Sequence, residues 1–204
     1  MIVDWYFDFI SPFAYLQWQR LRQAPAGVEL RVRPVLLAPI LAHWGQRGPA
    51  EIAPKRTFTY QHVAWLAARA GVPLRMPAGH PFNPLPLLRL AHALGPSPEL
   101  VDRLFNFVWR DGHIPQEPAA WRALLAELGA SAAEAPEVKE RLRLATAAAI
   151  AAGVFGVPTA IADGHLFWGY DATDMLLDYA REPGSFFTGE LARAGSVPVA
   201  AARS

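Results

Sequence analysis

Strand-type alternation opens this chain and returns only near its end, with a long helical stretch between. Residues 1–9 are rich in aromatics and set apolar side chains against Asp4 and Asp8, which predicts a strand. Ser11-Pro12 then reads as a helix start, with a capping hydroxyl followed by proline at the first helical position. That helix continues through Phe13, Tyr15, Leu16 and Leu21 and stops before Pro25 and Gly27. Residues 28–37 alternate Val28, Leu30 and Val32 with Glu29, Arg31 and Arg33, a second strand. The opening is therefore a β-α-β unit with parallel strands. Residues 36–53 read as irregular, interrupted by Pro39, Gly45, Gly48 and Pro49. Helices are predicted over 57–70, 87–94, 97–110, 117–128 and 134–152, with Ser97 as a cap and a proline-rich loop over 74–86. Residues 159–162 and 166–168 flank Asp163-Gly164, the signature of a tight hairpin. A last helix is expected over 172–181, capped by Asp171. Beyond Pro183 the tail is polar and Ala-rich and is expected to order poorly at its end.

The order β-α-β, helices, β-β-α predicts an α/β fold: a thioredoxin-like sheet interrupted by an all-helical insertion. Other split α/β folds share this order. The division is a discontinuous sheet domain over 1–37 and 154–204 and a helical insertion over 38–153. Composition narrows the chemistry. The 204 residues carry 19 Lys or Arg against 18 Asp or Glu, a net charge of +1, which excludes a broad basic surface for nucleic acid. With 52% hydrophobic residues the chain is not a disordered one. It has no cysteine, so disulfides, thiolate metal sites and dithiol redox chemistry are excluded. Any thiol chemistry must use a ligand's sulfur. The six histidines lack metal-ligand spacing, and no metal is expected. Asp4 and Asp8 interrupt the first apolar stretch, unlike an export signal. The longest uncharged run, 144–162, is broken by Gly153, Gly156 and Pro158, whereas a membrane span needs about 20 apolar residues. The expectation is a cytoplasmic protein with neither a membrane nor a nucleic-acid partner.

No Gly-rich phosphate loop and no G-x-S-x-G motif is present. Four places could carry chemistry. Ser11 is either an ordinary cap worth about 1 kcal/mol or a hydroxyl that, with the first helical amides, donates to an anion. A thiol held there would have its pKa lowered. In Gly156-Val157-Pro158-Thr159, a cis proline would leave the Val157 amide and carbonyl free for an extended ligand, and a trans proline would open an edge strand. Trp168-Gly169-Tyr170-Asp171 is a strand exit, where Asp171 could cap a helix or bind an ammonium group. Lys55-Arg56 and Arg89 could hold a carboxylate or stand as solvated surface.

Together these segments resemble a known family. The run from Val3 to Leu16, VDWYFDFISPFAYL, is similar to the opening of 2-hydroxychromene-2-carboxylate isomerases, relatives of kappa-class glutathione transferases and DsbA-like thioredoxin folds. Gly153-Val154-Phe155-Gly156-Val157-Pro158-Thr159 and Phe167-Trp168-Gly169-Tyr170-Asp171 resemble the family's second signature. Gly71-Val72-Pro73-Leu74 and His80-Pro81-Phe82-Asn83-Pro84 are similar to its middle region. The resemblance implies glutathione as cofactor, with Ser11 as the catalytic serine at its sulfur. Val157, before Pro158, would pair with the cysteinyl unit, and Trp168, Gly169, Tyr170 and Asp171 would hold the glutamyl end. Lys55, Asn83 and Arg89 are the candidates for the pocket of the aromatic acid, with Lys55, together with Arg56 or Arg89, for its carboxylate. It further implies a homodimer acting on a small aromatic unsaturated acid by reversible thiolate addition, ring opening, bond rotation and elimination. A kappa-type transferase that consumes glutathione, and a non-catalytic glutathione-binding module, are the competing readings.

Overall fold

The structure is a computed structural model that describes residues 1–23, 27–131 and 133–200. Pro25, the expected end of the first helix, and residues 201–204 of the tail lie outside the described residues.

β1 (Ile2–Phe7), α1 (Pro12–Leu21) and β2 (Glu29–Pro34) form the expected β-α-β unit, with β1 and β2 parallel. β3 (Thr159–Ala162) returns antiparallel to β1, and β4 (His165–Trp168) pairs antiparallel with β3. The sheet order is β2-β1-β3-β4. Between β2 and β3 run α2 (Leu37–His43), α3 (Ala53–Ala70), α4 (Leu85–Leu94), α5 (Pro98–Phe105), α6 (Pro118–Glu127) and α7 (Pro136–Ala151). α8 (Thr173–Arg181) follows the hairpin, and two short helices, α9 (Pro183–Phe186) and α10 (Gly189–Ala194), complete the described elements.

The alternation in β1 explains how the layers meet. Val3, Trp5 and Phe7 point into the main core, which they share with Trp18 of α1, Leu87 and Leu88 of α4, Phe105 of α5 and Trp109. Tyr6, on the opposite face of the strand, packs with Ile161 and Val157 against a smaller cluster of Val35, Ile40, Ala149 and Val154. Helices therefore cover both faces of the sheet.

Several boundaries differ from the sequence expectation. Residues 36–53 are not irregular throughout: they hold α2 and a 3-10 turn at Pro49–Glu51. α2 buries only Ile40, too little to leave an apolar period in the sequence. α3 begins at Ala53 because Pro54 fits its first turn, where no amide is needed. The 97–110 helix is capped by Ser97, whose Oγ accepts from Leu100 N at 3.2 Å, and its last part, Asn106–Arg110, is π-helical. Asp171 does not cap α8. Ala172 occupies that position, with no side-chain capping bond.

Candidate functional site

The chain leaves β1 through Asp8, Phe9, Ile10 and Ser11, and nearly every polar group of this loop is fixed. Asp8 is fully buried; its Oδ1 accepts from Ile10 N at 3.1 Å and its Oδ2 from Leu37 N at 2.9 Å. One carboxylate thus ties the loop to the start of α2. Ser11 N donates to Asp8 O at 3.0 Å. Trp109 Nε1 donates to Phe9 O at 2.9 Å, and His80 Nε2 lies 2.8 Å from Ile10 O. A carbonyl can only accept, so Nε2 carries the hydrogen and Nδ1 is an acceptor, facing Tyr60 OH at 2.7 Å, whose one proton is shared between Nδ1 and His80 O, also 2.7 Å away. Burial holds the His80 pKa below the usual histidine value, in keeping with a neutral ring. For Asp8, burial outweighs the backbone donors and raises its pKa from 3.8 to about 7.

Ser11 caps α1: its Oγ accepts from Ala14 N at 3.2 Å. That bond uses an oxygen lone pair and leaves the hydroxyl proton available. Among the described residues nothing accepts that proton, and the Phe13 amide of the first turn has no acceptor either. Both donors stand at the positive end of the helix.

Ser11 lines a largely apolar cavity of about 380 Å³. Leu37 and Leu41 of α2 form one wall, and Pro81 and Phe82 another. Val157 also lines it, brought from the far end of the sequence by the pairing of β3 with β1. The Val157-Pro158 peptide is cis, and among the described residues the Val157 amide and carbonyl have no hydrogen-bond partner. Pro158 is buried behind it, and its carbonyl accepts from Gly169 N at 2.9 Å.

The other expected residues lie differently. Trp168 to Asp171 do not line this cavity. Trp168 is half exposed and packs over Gly156, where a Cβ would come within 2.7 Å of its Nε1. Gly169 has φ +92°, a conformation that favours glycine, and Asp171 folds its carboxylate over that residue. Lys55 is exposed and outside the lining; Thr59, one helical turn further along α3, is inside it. Asn83 is exposed and its Oδ1 accepts from Leu85 N at 3.1 Å, bracing the start of α4 although its neighbours Phe82 and Pro84 line the cavity. Arg89 lies at a second cavity, between α4 and α7, and its Nη1 pairs with Glu134 at 2.8 Å. The three insertion residues expected to bind the substrate are thus not gathered at Ser11.

Sequence reasoning also missed side chains that hold the site. Asp8, expected within the first strand, follows β1 instead and is sealed. Gln17, not singled out in the sequence, is fully buried: Trp5 Nε1 donates to its Oε1 at 2.7 Å, and its Nε2 donates to Gly169 O at 2.8 Å and to Thr173 Oγ1 at 3.1 Å. The only signal for either was a polar residue inside an apolar stretch.

Comparison with known proteins adds to this geometry. Residues 2–181 match the family model of the DSBA-like thioredoxin domain. A 2-hydroxychromene-2-carboxylate isomerase of Pseudomonas putida is 34% identical over 188 residues, covering 86% of this chain and 92% of that one. Human glutathione S-transferase kappa 1 is 26% identical over 85% of this chain and 88% of its own length. The solved structure of a 2-hydroxychromene-2-carboxylate isomerase superposes with a TM-score of 0.79 at 28% identity, covering 96% of this chain and 98% of that one. The chain belongs to the DsbA-like thioredoxin-domain family, and within it to the enzymes of the 2-hydroxychromene-2-carboxylate isomerase family.

Proposed function

We propose that this enzyme is a glutathione-dependent isomerase of 2-hydroxychromene-2-carboxylate or a closely similar aromatic unsaturated acid. One observation carries the reading: the Ser11 hydroxyl at the α1 N-terminus and the Val157 main chain, which has no partner among the described residues, line the same apolar cavity. These groups suit a cysteinyl unit, with main-chain donor and acceptor for its peptide groups and a hydroxyl for its sulfur. When bound, glutathione supplies the nucleophilic sulfur that the chain itself lacks.

Ser11 Oγ–H and the Phe13 amide donate to the sulfur anion, and the α1 dipole lowers its energy. Val157 pairs with the cysteinyl backbone through its amide and carbonyl. Asp171, exposed at the exit of β4, takes the glutamyl ammonium, with Trp168, Gly169 and Tyr170 shaping that end. Leu37, Leu41 and Phe82 enclose the aromatic ring and exclude water from it. Lys55, exposed one turn from Thr59, meets the substrate carboxylate at the cavity mouth.

Titration calorimetry with glutathione, followed by product analysis by mass spectrometry, tests the reading. Expected are binding in the millimolar range or tighter, and a product of unchanged mass with glutathione recovered. A product that retains sulfur would instead make the enzyme a transferase of the kappa type. No binding at millimolar glutathione removes both.

A further inference from the structure

Ser11 can stabilise a sulfur anion, but it cannot take the proton that leaves the sulfur without a base. The cavity holds one group suited to take it. Asp8 stands three residues before Ser11, is joined to it through Ser11 N–Asp8 O, and lines the same cavity. Among the described residues it is the one charged side chain with no exposed surface. Its Oδ1 accepts from Ile10 N and its Oδ2 from Leu37 N, and among the described residues no cation is paired with it. The other titratable side chains on the cavity wall leave it uncompensated. Glu51 is itself an acid, bonded to Gly48 N, and His80 is held by its Nε2 on Ile10 O, with its Nδ1 facing Tyr60 OH. A second anion placed at Ser11 would therefore repel the Asp8 carboxylate across a poorly solvated space.

We propose that Asp8 and the cofactor sulfur share a single proton, with Asp8 as the acceptor when glutathione docks at Ser11. The S–H bond breaks heterolytically, its electron pair stays on sulfur and its proton passes to water, and water in turn gives a proton to the sealed Asp8 carboxylate, forming an O–H bond there. The cavity keeps one negative charge throughout. When sulfur is reprotonated, Asp8 gives the proton back. The position of Asp8's titration, near pH 7, fits this exchange: the acid is ionised enough to receive a proton at neutral pH and basic enough to keep it. The proposal rests on the glutathione reading above.

The test is proton counting. Calorimetry of glutathione binding in buffers of different protonation enthalpy gives the protons released per site, and ultraviolet absorbance counts the thiolate formed. At about pH 8 the wild-type protein should form thiolate while releasing almost no proton, because Asp8 retains it. Asp8→Asn should release about one proton per thiolate formed. In the wild type alone, release should fall from near one to near zero as pH rises through 7, so the proposal remains testable if the variant does not fold. Thiolate formation with a full proton released by the wild type at about pH 8 would overturn the role of Asp8 and leave the glutathione reading intact. Binding without any thiolate would overturn it too. Absence of binding by both glutathione and S-methylglutathione removes the glutathione reading and this proposal together.

Discussion

At the scale of single residues, Ser11 and Asp8 illustrate opposite uses of the same loop. Ser11 is nearly buried, but its hydroxyl proton remains unspent, so it contributes modestly to folding and directly to the site. Ser11→Ala should cost about 1 kcal/mol of stability as a lost cap, and about 10²-fold in kcat as a lost donor to a developing anion. Unchanged turnover in a folded Ser11→Ala protein would exclude the role given to the hydroxyl. Asp8 gives a pH prediction that needs no ligand. Its pKa is raised on folding from 3.8 to about 7, so the native state binds its proton more tightly than the unfolded chain does. The sign follows: the associated stability is fully present below about pH 4 and is lost as pH rises through 7. The whole span is about 4 kcal/mol at most, from 1.36 kcal/mol per pK unit. Asp8→Asn should flatten this slope. Urea unfolding at a series of pH values checks it, and parallel curves for the two proteins would contradict the assignment.

Among the elements, strands and longer helices were legible because burial on one face leaves a period in the sequence. β1 shows period two in Val3, Trp5 and Phe7, and the hairpin announces itself through Asp163-Gly164, whose residues adopt φ +48° and +81°. α2 was not legible, since a seven-residue helix with one buried side chain carries almost no pattern. It is held at its start by Asp8, a bond across 29 residues of sequence. The same reason hid the layout of the insertion residues. Lys55, Asn83 and Arg89 share a helical block, but which of them reaches Ser11 depends on helix rotation, which sequence spacing does not reveal. Ser11 and Val157, which line one cavity, stood out in the sequence because each lies just beyond a strand with a proline beside it. Gln17 yields the prediction at this scale. It joins β1, α1 and the turn before α8 through one buried amide. Gln17→Leu leaves the Trp5 indole N–H, the Gly169 carbonyl and the Thr173 hydroxyl without this partner, at an expected cost of roughly 2–4 kcal/mol. Because Gly169 sits in the segment proposed to hold the glutamyl end, KM for glutathione should rise while kcat changes little. A variant as stable as the wild type would show that the network is idle.

Across the whole molecule, the question is whether sheet and helical insertion behave as two bodies or one. The aromatic core answers it physically. Phe105, contributed by α5 of the insertion, lies with its ring 5.3 Å from Phe7, 4.9 Å from Phe9 and 6.1 Å from Trp5, between centroids. Trp109 and His80 reach from the insertion to the carbonyls of Phe9 and Ile10, and Trp18 of α1 donates to Asp102 of α5 at 2.8 Å. The sheet cannot keep its buried face dry without the insertion, because Val3, Trp5 and Phe7 share one core with Leu87, Leu88 and Phe105. Neither part retains a closed core alone, so the loss of one exposes the other. Unfolding is therefore expected as one transition, with far-ultraviolet circular dichroism and tryptophan fluorescence changing together. Phe105→Ala should lower that common midpoint, by about 3–5 kcal/mol of stability, without splitting it. Helical signal that persists after the tryptophan core has opened would mean that the insertion stands by itself, and that the loop carrying Ser11 is braced by α1 and the sheet alone.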